Sequence, residues 1–211
     1  RSTLKYQVER SNPFCQEPLK YVLYSDLTTD YDFEDTFMDK VRTILQEERI
    51  SDRTQSLLVN GHQTSGNLFQ IEDDFTKEIQ QVIQIEIEKY RVNFKNSDEG
   101  LIRKWPADYF LYGWLISMKS GGKLAPHIHD RGWLSGSVYI SVPSKSQTNS
   151  GNLVVSLGEE GDAVETSRNR KKIIEVVTGG LVLFPASLTH YTIPFESKED
   201  RIVLAFDVIP K

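Results

Sequence analysis

From Trp105 onward the chain alternates short runs of aromatic and β-branched residues with turns of Gly, Pro, Asn and Ser. Runs of this kind bounded by turn formers read as strands. They fall at Tyr109–Met118, Trp133–Val142, Leu153–Leu157, Lys172–Val177, Leu181–Phe184, His190–Ile193 and Ile202–Ile209, with no helical spacing between them. Seven or eight short strands in series predict an antiparallel sandwich or jelly roll.

The N-terminal part has a different texture. Asp32–Glu48 carries Phe33, Phe37, Val41, Ile44 and Leu45 at helical spacing, with acids early, where the helix dipole favours them. Asp73–Phe94 places Ile79, Val82, Ile83, Ile87 and Tyr90 on one stripe of a second helix. A short strand is expected at Tyr21–Tyr24, after irregular chain around Pro13 and Pro18, and a polar loop at Asn60–Asn67. The predicted architecture is therefore mainly β: an N-terminal helical layer over residues 1–96, packed on a jelly-roll core over residues 97–211. At 211 residues these form a single domain large enough to bury its own core. No internal repeat occurs, and Ser144–Ser150 is a brief polar loop.

Charge and cysteine usage narrow the function. A net charge of -5 leaves no broad basic face, which argues against a dedicated nucleic-acid binder. One basic run, from Arg168 to Lys172, faces an acidic run at Glu159–Asp162 and reads as a solvated hairpin tip. Cys15 is the only cysteine, so no intrachain disulfide is possible and a reducing, cytoplasmic compartment is expected. No apolar stretch approaches the ~20 residues that span a bilayer, and no signal peptide opens the sequence. The first residue is Arg1 rather than Met, which reads as a processed or excised piece.

Three of the four histidines lie in the β half. His127 and His129 are two residues apart in Ala125-Pro126-His127-Ile128-His129-Asp130, so in extended chain both imidazoles point to one face and can reach one metal. His190 lies in a distant run that a jelly roll brings alongside. Two close ligands and one distant ligand leave part of the coordination sphere open, as non-haem iron oxygenases require. Asp130 is the alternative third ligand, or an orienting group behind an imidazole. His129 is preferred because its spacing keeps it on the face of His127. Arg201 opens the last, otherwise apolar strand, where an arginine is costly unless paired. A dicarboxylate would pair with it through a bidentate fork; a surface ion pair with Glu199 or Asp200 is the other reading. His62 is expected to be solvated, and Trp114 and Trp133 to be core or pocket wall.

The order His127-Ile128-His129-Asp130, Ser135-Gly136-Ser137-Val138-Tyr139, Leu183-Phe184-Pro185, His190, Arg201 resembles the 2-oxoglutarate/Fe(II)-dependent oxygenase family, prolyl-hydroxylase-like double-stranded β-helix proteins. The resemblance covers about residues 112 to 209. It implies a dioxygenase that binds Fe(II), 2-oxoglutarate and O₂ and hydroxylates a substrate while 2-oxoglutarate becomes succinate and CO₂. It further implies that His127 and His190 are iron ligands and that Arg201 and Tyr139 hold the far carboxylate of 2-oxoglutarate. The co-substrate is a small molecule, and a protein or peptide side chain is the expected primary substrate; neither nucleic acid nor membrane is expected as a partner. Two departures stand out. The family's usual carboxylate two residues after the first histidine is His129 here, so the iron site keeps two positive charges, which a dianionic co-substrate neutralises. Val203 stands where Ser or Thr is usual, removing one hydrogen bond to the co-substrate. A three-histidine cupin-type oxygenase without 2-oxoglutarate, and a non-catalytic jelly-roll binding module, are the competing readings.

Overall fold

Strands with apolar side chains on both faces need two partners. In the computed structural model, which describes residues 14–46, 52, 53, 55–71, 74–158 and 170–211, helices cover one face of a large sheet and a small sheet covers the other. The elements run β1 (Leu23–Asp26), α1 (Asp39–Gln46), β2 (Asp52–Arg53), β3 (Leu58–Thr64), α2 (Asp74–Asn93), α3 (Gly100–Arg103), β4 (Tyr109–Leu124), β5 (Leu134–Ser141), β6 (Leu153–Ser156), β7 (Lys171–Ile174), β8 (Gly180–Pro185), β9 (Thr189–Thr192) and β10 (Arg201–Pro210). The large sheet has the order β1-β8-β5-β10-β4-β3-β2 and the small one β7-β6-β9. Every one of these pairings is antiparallel. This is the jelly roll expected from the strand pattern.

β10 shows how alternation builds the layers. Leu204, Phe206 and Val208 enter a core shared with Ile79, Val82, Ile83, Ile87 and Tyr90 of α2. Val203 and Ala205, on the opposite face, enter separate clusters on the side of the small sheet. β5 repeats the pattern, with Leu134, Val138 and Ile140 toward the helices and Tyr139 toward the small sheet. Successive side chains point to opposite faces, so one ten-residue strand serves both cores. Gly136 is dictated by this packing. A Cβ there would lie 2.2 Å from the Phe206 ring, directly across the β5–β10 pair.

Several elements differ from the sequence expectation. The stretch at Asn60–Asn67 is not simply a loop: Leu58–Thr64 forms β3, which pairs with the second half of β4. β4 runs on through Gly121 and Gly122 to Leu124, past the Met118 end expected for it, and this extra length needs a partner. The irregularity sits at Asn60, with φ 49, between the two paired sections. The N-terminal segment therefore contributes β1, β2 and β3 to the large sheet as well as its helical layer. The strand expected at Tyr21–Tyr24 lies slightly later, because Pro18 starts a 3-10 turn through Tyr21. The first helix begins as a π-turn over Glu34–Met38 before α1. Arg170–Lys172 are exposed, but the rest of the hairpin tip between Glu159 and Asn169 lies outside the described residues. Among the described residues, no helix is long and apolar enough to cross a membrane.

Candidate metal centre

His127 and His190 face each other across an antiparallel bridge. The His127 N–H donates to His190 O at 3.1 Å and the His190 N–H returns to His127 O at 2.9 Å. That exchange fixes the two residues opposite one another. Two residues on, the His129 N–H donates to Ala186 O at 3.3 Å, and its ring falls on the same side. Ring centroids are 4.2 Å apart for His127–His190, 4.8 Å for His129–His190 and 5.0 Å for His127–His129. Each ring offers one nitrogen, and these atoms all lie within 4.8 Å of one another.

Local hydrogen bonds choose which nitrogen that is. Nδ1 of His127 is 2.9 Å from Ala125 O, Nδ1 of His190 is 3.2 Å from Leu188 O, and Nδ1 of His129 is 2.7 Å from Asp207 Oδ1. A carbonyl or carboxylate oxygen accepts, so each Nδ1 carries the proton and each Nε2 keeps its lone pair for a metal. Burial reinforces this state. It pushes the His190 imidazole well below its ordinary pKa, helped by the neighbouring His127 and His129. His127 is lowered by the same cause.

The rings open into a cavity of about 90 Å³ that Tyr139 and Arg201 also line. Arg201 is 2% exposed, and its Nε has no hydrogen-bond partner. Its guanidinium carbon sits 5.2 Å from the centre of the Tyr139 ring. No carboxylate is within ion-pair distance of it among the described residues, so the surface ion pair with Glu199 or Asp200 is absent. Burial lowers the Arg201 pKa, and burial pushes the Tyr139 phenol up to about 12 against the pull of Arg201. A buried cation with an unmet donor is a strong site for an anion.

A second, more open cavity of about 410 Å³ adjoins the first and shares Gln63, Trp114 and His129 with it. Asp130 and Arg131 are exposed on its wall. Asp130 is therefore outside the cluster that could hold a metal, and the carboxylate behind the histidines is Asp207. Trp133 belongs to the helical side, where its Nε1 donates to Leu101 O at 3.1 Å. His62 is half-buried on β3 and lines neither cavity.

Sequence reasoning missed two residues here. Asp207 lies in an apolar strand and needs the β5–β10 register to be seen beside Ser135. Gln63 lay in the presumed loop, yet it is buried, and its Oε1 has no partner. The one available signal was alternation along β10, which puts Arg201 and Asp207 on the same face.

Residues 112–207 match the family described as "Putative 2OG-Fe(II) oxygenase". No curated protein matches the chain in sequence. Among solved structures, the chain is similar to a prolyl-4-hydroxylase from Pseudomonas putida, with 12% identity, a TM-score of 0.60 and 90% of this chain and 92% of that chain covered. A prolyl hydroxylase from Trichoplax adhaerens, solved with a hypoxia-inducible-factor peptide fragment, gives 11% identity, a TM-score of 0.61 and coverages of 94% and 88%. HygX from Streptomyces hygroscopicus, solved with nickel and 2-oxoglutarate, gives 12%, 0.57, and 93% and 87%. At these identities the structures speak for the fold, and the match over residues 112–207 speaks for the sequence. Together they give the chain a fold similar to the prolyl-hydroxylase jelly roll and, over residues 112–207, a sequence similar to the 2-oxoglutarate/Fe(II) oxygenase family.

Proposed function

We propose that this chain is a 2-oxoglutarate-dependent dioxygenase that holds Fe(II) through the Nε2 atoms of His127, His129 and His190. The observation that carries the reading is the buried Arg201, whose Nε is unpartnered in the cavity that the three imidazoles share. A metal-only cupin-type site has no use for a desolvated guanidinium, whereas a dicarboxylate satisfies it with two charge-assisted bonds. When bound, iron with 2-oxoglutarate and O₂ supplies the oxidation of a substrate C–H bond, coupled to decarboxylation of 2-oxoglutarate to succinate.

The residues of the chain do the rest. Arg201 and the Tyr139 hydroxyl orient the far carboxylate and set which end of the co-substrate faces the histidines. Val203, in the same cavity wall, offers no side-chain hydrogen bond to it. Phe184, Leu153 and Val203 line the same cavity with apolar surface and limit water around it. The larger cavity is the side on which the primary substrate lies, since it reaches His129 from the surface. A protein or peptide side chain is the substrate class we favour: the groove is open, and the Trichoplax relative was solved with a peptide fragment. Cys15 is the single cysteine and is buried, so the chain forms no intrachain disulfide, and a cytoplasmic location is the one we favour.

Anaerobic addition of 2-oxoglutarate to the Fe(II) protein tests the reading. A new visible charge-transfer band is expected. Stoichiometric iron with no band at saturating 2-oxoglutarate would favour the three-histidine cupin-type oxygenase.

A further inference from the structure

Three neutral imidazoles bring no negative charge to a metal, yet a carboxylate is built into the wall behind one of them. Asp207 is 8% exposed on β10, opposite Ser135 of β5 and Tyr112 of β4. Its Oδ1 accepts from His129 Nδ1 at 2.7 Å and from the Ser135 hydroxyl at 2.7 Å, and the Ser135 Oγ is itself 3.1 Å from His129 Nδ1. No lysine or arginine pairs with Asp207 among the described residues; His129 is its single ion-pair partner. A carboxylate buried on these terms is costly unless a positive charge stands close by.

We propose that Asp207 is the carboxylate of this metal centre, displaced from the coordination sphere to the far side of the His129 ring. The proposal rests on reading the histidine cluster as the iron site. Asp207 then has two separable tasks as a positioning residue. It holds the proton on His129 Nδ1 and fixes the ring plane, so that Nε2 meets the metal. Its charge also makes His129 a stronger donor and cuts the net charge of the centre by one, as a directly bound aspartate would. Ser135 keeps Oδ1 aimed at the ring. His190 and His127 lean on main-chain carbonyls instead, so the charge enters through His129 alone.

Co(II) binding separates the two tasks without any turnover. Asp207→Asn keeps an acceptor for His129 Nδ1 but removes the charge, whereas Asp207→Ala removes both. Outer partners of metal-bound histidines are worth roughly 10- to 100-fold in affinity. Asp207→Ala is expected to weaken Co(II) binding by about that factor and to change the Co(II) ligand-field spectrum at saturation. Asp207→Asn should weaken binding by about 10-fold with the wild-type spectral shape kept. In the metal-free protein, ¹⁵N shifts should put the His129 proton on Nδ1 in the wild type and in Asp207→Asn, and divide it between the two nitrogens in Asp207→Ala. Should Asp207→Ala fail to fold, Asp207→Asn with its Co(II) titration decides alone. Wild-type Co(II) affinity in Asp207→Asn overturns the charge role, and an unchanged spectrum and tautomer in Asp207→Ala overturns the positioning role. A wild-type protein that binds neither Co(II) nor Fe(II) overturns the iron site itself, an outcome distinct from either.

Discussion

At Arg201 a buried guanidinium has no carboxylate partner among the described residues, and its Nε has no hydrogen-bond partner. On the proposed reading, two charge-assisted hydrogen bonds at ~1.5–3 kcal/mol each would tie it to the co-substrate, and their removal would strand a carboxylate in a desolvated pocket. Arg201→Ala is therefore expected to weaken 2-oxoglutarate binding by roughly 100-fold or more in anaerobic calorimetry of the Mn(II) form, with metal affinity nearly intact. Lysine there should rescue only in part, since it lacks the planar fork. The ligands can be ranked in the same way. His127→Ala and His190→Ala should abolish stoichiometric Fe(II), and His129→Ala should lose far more iron than Asp130→Ala; the reverse order would return the third position to Asp130. The metal-free site should also be acid-sensitive. His127 and His190 are held below their ordinary pKa by burial, so below about pH 6.5 the unfolded chain takes up protons that the folded one refuses. Stability is full above that value and is lost as pH falls through it toward the folded pKa values. Urea midpoints that stay level from about pH 7 to about pH 5 would contradict this. That the histidines and Arg201 would come together was legible in the sequence because each is conspicuous where it stands, whereas Tyr139 entered only through the family resemblance. Asp207 and Gln63 were not, because their meaning depends on which strand lies beside them.

Among the elements, β10 and β5 carry the densest burden, since each faces two cores at once. Their contact at Gly136 and Phe206 leaves no room for a methyl group. Gly136→Ala should cost about 1–3 kcal/mol of stability by denaturant unfolding, through displacement of Phe206 or of the strand. Iron affinity should fall with it, because Ser135, which bonds Asp207 behind His129, precedes that glycine. A change within experimental error would mean that the sheet yields more easily than its packing implies. The strands of the C-terminal half could be read directly from their aromatic and β-branched runs between turn formers. β3 could not, because Asn60, Gly61 and Gln63 have loop chemistry, and only the length of β4 makes a strand of them. The π-turn ahead of α1 was equally hidden, as it keeps the same apolar stripe that an uninterrupted α-helix would show.

Across the whole molecule, the sheet joins early and late segments: β1 pairs with β8, and β3 with β4. The helical layer is tied to that sheet by shared apolar side chains, so layer and barrel should unfold together. The three tryptophans sample different parts of this unit. Trp105 lies 6.2 Å from Tyr90 in the helical layer, and Trp133 makes an edge contact with Phe14 at 4.7 Å. Trp114 is 5.6 Å from His129, in the wall of both cavities. The protein thus carries its own optical gauge of occupancy: a paramagnetic ion seated among the histidines should quench Trp114 and leave the other two emitting. Titration with Co(II) is expected to dim part of the fluorescence with no red shift, and Trp114→Phe should remove the response while metal still binds. Unfolding would instead shift all three to longer wavelength, so one spectrum would tell a loaded molecule from an empty one, and both from a molten one.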